Sequence, residues 1–69
     1  MNSTKVEALV RNIILHRRLP FAMRSVAASA AGWDIEVEAS AGGVLAFTVA
    51  SGRPLEIRVA IQEQLEAEL

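Results

Sequence analysis

The clearest alternation of apolar and polar positions lies in the middle of the chain, over residues 33–51. Within residues 34–40 apolar residues alternate with acidic or polar ones, so an extended strand would have one apolar and one acidic face. A second segment, residues 44–50, also has one strongly apolar face, but its outer face is less polar than that of the first segment. Gly42-Gly43 between the two segments tolerates the positive φ angles of a tight turn. The pattern therefore predicts a β-hairpin. Its core-facing residues are Ile35, Val37, Leu45, Phe47 and Val49.

A helical pattern precedes the hairpin. Apolar residues recur at spacings of three and four along the first part of the chain, which is typical of a helix with one buried side. Thr4 and Glu7 have the spacing of a capping box, and the cations of residues 16–18 suit the carbonyl-rich end of a helix. These signals predict a helix over about residues 4–18.

The segment that joins this helix to the hairpin has two interpretations. Pro20 suits the first position of a helix, Gly32 suits the position after its end, and the alanines between them favour a helix by propensity. We therefore expect a second helix over about residues 20–31. The alternative is a strand over residues 23–30 that pairs with the hairpin, although apolar and polar positions alternate poorly there.

The last segment also has two interpretations. A series spaced by four, from Ile57 to Leu69, favours a helix over residues 54–68, and Pro54 suits the first position of that helix. Residues 55–61 also alternate between apolar and other positions, which is typical of a third strand followed by a short helix. We prefer the helix.

Together these elements predict a single α+β domain over residues 1–69, with two N-terminal helices, an antiparallel β-hairpin and a C-terminal helix; a three-stranded sheet is the alternative. The order helix–strand–strand–helix resembles that of small phage head–tail joining proteins. With residues 23–30 as a strand, the order resembles the double-stranded-RNA-binding fold. Both resemblances rest on element order and length, and residues 54–57 replace the lysine-rich helix start of that RNA-binding fold. Neither resemblance therefore carries a function to this chain.

Composition narrows the ways in which so short a chain can be stabilised. A single domain of this size buries only about 60% of its unfolded surface. The chain has no cysteine and one histidine, so we expect no disulfide and no metal site. Self-association is the remaining stabiliser, and we expect a homodimer or a complex with another protein. The candidate interface residues are Trp33, Val44, Leu55 and Val59.

The charges of the chain are unevenly distributed. Residues 1–31 carry five cations and one anion, and residues 32–69 carry two cations and seven anions, for a net charge of −1. The candidate contacts for a nucleic acid or another anion are Arg11, Arg17, Arg18 and Arg24. We prefer to explain these arginines by the helix end and by pairing with the acidic half, because the chain lacks the basic excess and stacking aromatics of nucleic-acid binders.

No constellation of side chains indicates catalysis. His16 has no evident nucleophile or carboxylate partner. Asp34, Glu36 and Glu38 form a row on one strand face, whereas catalytic carboxylates face each other across a cleft. Gly42-Gly43 precedes a strand, whereas a phosphate-binding loop needs a helix N-terminus there. We therefore expect no enzymatic activity and no cofactor.

The remaining expectations concern location and role. No apolar run approaches the roughly 20 residues that span a bilayer, and the N-terminus lacks the pattern of a signal peptide. With the absence of cysteine, these features predict a cytoplasmic protein that does not contact a membrane. The function that we expect is a small non-enzymatic protein-interaction or assembly module, and a nucleic-acid-binding module is the alternative.

Overall fold

The computed structural model of the protein describes residues 2–69. Its elements are α1 (Ser3–Arg17), β1 (Phe21–Ser29), β2 (Gly32–Ala39), β3 (Val44–Val49) and α2 (Pro54–Glu66). The strands form one antiparallel sheet in the order β1-β2-β3, so β1 and β3 are its two edges. The predicted α+β class is confirmed. The preferred order is wrong, because one helix and three strands precede the last helix.

The first predicted helix is confirmed as α1. Its buried residues are Val6, Val10 and Ile13. The predicted cap is wrong, because Asn2 and not Thr4 caps the helix: the Asn2 side chain accepts a hydrogen bond from the backbone N–H of Lys5 at 2.9 Å. The helix closes at Arg18, which has a φ of 52° in the left-handed region.

The predicted helix over residues 20–31 is wrong, and the alternative strand is confirmed as β1. This strand pairs with β2 along its length. The pairing supplies backbone hydrogen bonds and an apolar surface against which β1 packs. These outweigh the advantage of alanine in a helix, which is about 0.5 kcal/mol per residue.

A β-bulge explains why the alternation of β1 is poor. Met23 pairs with Val37, whereas Ser25 pairs with the preceding residue of β2, so Arg24 is an extra residue in the ladder. As a result Met23 and Val26, three positions apart, lie on the same face of the sheet and pack against the core. The strict alternation of inward and outward residues is therefore interrupted at Arg24.

The predicted hairpin is confirmed as β2 and β3. Ile35 lies opposite Phe47 on the face that the helices cover. Phe47 is on the expected face, but it is only partly buried because β3 is an edge strand. Gly42 and Gly43 adopt φ angles of 101° and 91° in the turn, as the Gly-Gly pair predicts.

The last segment is a helix, so the alternative of a third strand over residues 55–61 is wrong. The buried residues of α2 are Ile57, Ile61 and Leu65. Leu69 lies beyond the end of the helix and is exposed. At the start of the helix, the Glu56 carboxylate accepts a hydrogen bond from the backbone N–H of Arg53 at 3.0 Å.

Both helices cover the same face of the sheet, and the core lies between the two layers. α1 packs mainly on β1, and α2 packs on β3. The helices run in the same direction, because Lys5 and Pro54 line one groove near their N-terminal ends and Arg17 lies 3.6 Å from Glu66 near their C-terminal ends. Within residues 2–69, the opposite face of the sheet is covered by no element.

Candidate interaction surfaces

A groove between α1 and α2 lies on the outside of the helical layer. Its lining residues are Lys5, Ala8, Leu9, Asn12, Pro54 and Arg58. The half-buried Leu9 packs against the core and gives the groove an apolar floor. Lys5 and Arg58 bring one cation from each helix, and neither takes part in an ion pair among residues 2–69. The groove is therefore apolar at its base and cationic at its rim.

Two apolar side chains of α2, the helix that forms one wall of this groove, are exposed. Leu55 is 71% exposed and Val59 is 47% exposed. Leu55 is three residues from Arg58 and four from Val59, so its side chain neighbours each of those two on the surface of α2. We call the groove together with Leu55 and Val59 the helical surface. Leu15, on the solvent side of α1, is a further exposed apolar residue of the same layer.

The four predicted anion-contacting arginines do not share one face of the molecule. Arg11 pairs with Glu7 at 2.7 Å on α1. Arg17, the last residue of α1, pairs with Glu66 of α2, and Arg18 is the left-handed residue that follows it. Arg24 pairs with Glu36 at 3.3 Å on the open face of the sheet, which is the face away from both helices. Contact of these arginines with nucleic acid stays a prediction.

The open face of the sheet carries the acidic row, as the alternation predicts. Asp34 accepts a hydrogen bond from the Thr48 hydroxyl at 2.7 Å and another from the Ser29 hydroxyl at 3.3 Å. Glu36 contacts Arg24 and accepts a weak hydrogen bond from Ser25 at 3.5 Å. The carboxylates of Asp34 and Glu36 therefore have partners within their own sheet.

The predicted interface residues are distributed over different sides of the molecule. Trp33 lies opposite Val49 on the helix-covered face and is partly buried against the core. Val44 is 52% exposed at the start of β3, on the open face. Leu55 and Val59 belong to the helical surface. One flat contact cannot therefore bury all four side chains.

The cations of the groove are not predictable from the sequence. Lys5 and Arg58 come from opposite ends of the chain, and only the packing of α1 beside α2 brings them to one groove. No local spacing marks such a pair. His16, the only histidine, is exposed near the end of α1.

Over residues 2–69, no three histidine, aspartate or glutamate side chains lie close enough together to hold a metal ion. Within the same residues, neither helix has the length and apolar character required to cross a bilayer. The chain matches no protein-family model, no curated protein and no solved structure.

Proposed function

We propose that this protein is a small non-enzymatic interaction module that binds another protein through its helical surface. The observation that carries the proposal is the exposure of Leu55 and Val59 on the helix that forms one wall of the groove. Single exposed apolar residues are ordinary, but adjacent ones beside a groove with a polar rim are typical of interaction sites. α2 does not need these two side chains for its own packing, because its buried side is formed by other residues.

The shape and charge of the helical surface indicate the chemistry of the partner. The groove runs between two helices that point in the same direction, so an amphipathic helix can lie in it with its apolar side on Leu9. Lys5 and Arg58 then face the flanks of the bound helix. Since both cations lack a partner within residues 2–69, acidic flanks suit the groove better than basic ones.

A pair of designed helical peptides tests this proposal. Both have leucines at helical spacing; one has glutamate flanks and the other lysine flanks. We expect the acidic peptide to shift the amide NMR signals of Leu9 and Arg58 and to bind the Val59→Glu variant about tenfold more weakly. Arg58→Glu should reverse the preference between the peptides.

The matched control is Val44→Glu, which adds the same charge to an exposed apolar position on the opposite side of the molecule. It should leave peptide binding unchanged. Equal binding of both peptides, or amide shifts confined to the open face of the sheet, would show that the helical surface is not the site.

A nucleic-acid-binding module is the second candidate. The observation that favours it is the element order, since α-β-β-β-α is the order of the double-stranded-RNA-binding fold. Against it stand the pairing of Arg11, Arg17 and Arg24 with carboxylates and the sequence Pro54-Leu55-Glu56 at the start of α2. The similarity to that fold is one of element order alone, so we prefer protein binding to nucleic-acid binding as the proposed function.

Fluorescence anisotropy with mixed DNA and RNA duplexes distinguishes the two candidates. We expect no binding by the wild-type protein at physiological salt. A nucleic-acid module would instead bind at micromolar concentration, lose affinity as salt rises from about 50 to about 200 mM, and show a shallower salt dependence in the Arg17→Ala/Arg18→Ala variant. That result would reverse the order of the candidates.

A further inference from the structure

The two edges of the sheet differ in how well they resist pairing with another strand. β1 contains the bulge and a charged residue, Arg24, at that bulge. Bulges and charges are common means by which edge strands avoid unwanted pairing. β3, with the sequence VLAFTV, has no charge, proline or glycine and pairs regularly with β2 over its whole length. The β3 edge is therefore the less protected of the two.

The side chains of β3 remain partly uncovered on both faces of the sheet. Val44 is 52% exposed on the open face. Leu45 and Phe47 lie on the face that the helices cover, yet both are only partly buried. Within residues 2–69, no strand pairs with the outer side of β3. The edge thus combines free backbone groups with apolar side chains that are still in contact with water.

The hairpin turn determines which backbone groups of β3 are free. The Ala39 N–H donates to the Gly43 carbonyl at 3.0 Å, so these residues form a hydrogen-bonded pair. Hydrogen-bonded and non-hydrogen-bonded pairs alternate along an antiparallel ladder. In the observed register, the non-hydrogen-bonded positions of β3 are therefore Val44, Ala46 and Thr48. These residues direct their backbone N–H and C=O groups away from β2.

We propose that β3 pairs antiparallel with β3 of a second copy, with Ala46 on the two-fold axis. The two three-stranded sheets then form one continuous six-stranded sheet. Val44 lies opposite the partner's Thr48, Ala46 lies opposite the partner's Ala46, and the three outward-facing residues of each copy form hydrogen-bonded pairs. On the helix-covered face, Leu45 lies opposite the partner's Phe47, and the same contact occurs twice.

The self-complementarity of β3 favours a second copy over a different partner. A two-fold contact needs one surface to fit itself. Leu45 and Phe47 flank Ala46 in the sequence, so a two-fold axis at Ala46 places the Leu45 of each copy opposite the Phe47 of the other. This gives two identical aliphatic–aromatic cross-strand pairs. No charge of β3 has to be buried or matched in this register.

The acidic rows of the two copies do not prevent the pairing. Each row lies on β2, and the two β2 strands would be three strand spacings apart, about 14 Å. This separation exceeds the Debye length of about 8 Å at physiological salt, so the repulsion between the rows is largely screened. The groove of the helical surface is not part of the strand contact, because it lies between α1 and α2 on the outside of the helical layer.

Sedimentation velocity of the full chain at tens of micromolar, with two variants of β3, tests the proposal. We expect the wild-type protein to be a dimer. Val44→Lys places a charge at the contact, and Ala46→Pro removes an outward N–H without removing a hydrogen bond to β2. Each should raise the dissociation constant about tenfold or more while the circular dichroism spectrum stays that of the folded protein.

The control is Ala22→Lys, which places the same charge on the open face of the other edge strand and should leave the dimer intact. Hydrogen exchange gives a second readout: the amides of Val44, Ala46 and Thr48 should be protected in the dimer and lose protection in Val44→Lys. A monomeric wild-type protein at this concentration would refute the proposal. A dimer that Val59→Glu dissociates and Val44→Lys does not would also refute it, because the contact would then lie on the helical surface.

Discussion

Replacing Gly32 with alanine is expected to unfold a large fraction of the protein molecules. Gly32 opens β2 with a φ of +135°, where L-residues are strained. A Cβ atom there would lie 2.1 Å from the Val49 carbonyl oxygen and 2.8 Å from the Ser51 nitrogen. Both are backbone atoms of the segment that leaves β3, so they cannot rotate aside as a side chain does. Strain and overpacking together should cost about 3 kcal/mol or more.

The glycine of the hairpin turn provides a matched control for this substitution. Gly42 also has a positive φ, of 101°, but a Cβ atom there meets no atom within 4 Å. Gly42→Ala should therefore cost about 1–2 kcal/mol, which reflects the backbone conformation alone. Chemical denaturation followed by circular dichroism measures both. The free energy of unfolding of a chain of this size is about 3–10 kcal/mol. The two expected losses are different, sizeable shares of that total, so denaturation distinguishes the variants. Equal losses would mean that the contact with β3 does not matter.

Truncation of Ile61 to alanine should give the second large loss of stability. Ile61 is fully buried, lies in the middle of α2, and belongs to the core between the helices and the sheet. The removed methyl and methylene groups leave a cavity that the surrounding side chains fill only in part. We therefore expect a loss of about 2–5 kcal/mol in the free energy of unfolding.

Val59→Ala on the same helix is the control for Ile61→Ala. Val59 is 47% exposed and lies away from the buried side of α2, so its truncation should change stability by about 0.5 kcal/mol or less. Urea unfolding followed through circular dichroism compares the two variants under one condition. A loss for Val59→Ala as large as that for Ile61→Ala would contradict the assignment of the buried side.

Local patterns predict the parts of the fold that depend on local contacts. The spacing of Val6, Val10 and Ile13 in α1 and the alternation of β2 each reflect one buried face, so both elements can be read from the sequence. β1 fails this test, because the bulge at Arg24 shifts the inward positions by one residue. Propensity then pointed to a helix, and pairing with β2 decided otherwise.

The candidate surfaces were less predictable than the elements. Val44, Leu55 and Val59 could be recognised as apolar residues outside the expected core, and the structure places all three at the surface. Which of them share a side depends on how the helices pack on the sheet, and that packing has no local signal. The same holds for Lys5 and Arg58, which come together only through the α1–α2 contact.

The bulge of β1 also determines where related chains can differ in length. Loss of one residue from a strand normally turns every later side chain to the opposite face. Loss of Arg24 is the exception: Met23 would still face the helices, Ser25 would still face outward and Val26 inward, and the ladder with β2 would become regular. An alignment of homologous chains should therefore accept a one-residue gap within this strand at position 24. A folded homologue with a single gap at Ala27 instead would need apolar residues at different positions in the rest of the strand, because the later side chains would face the opposite side of the sheet.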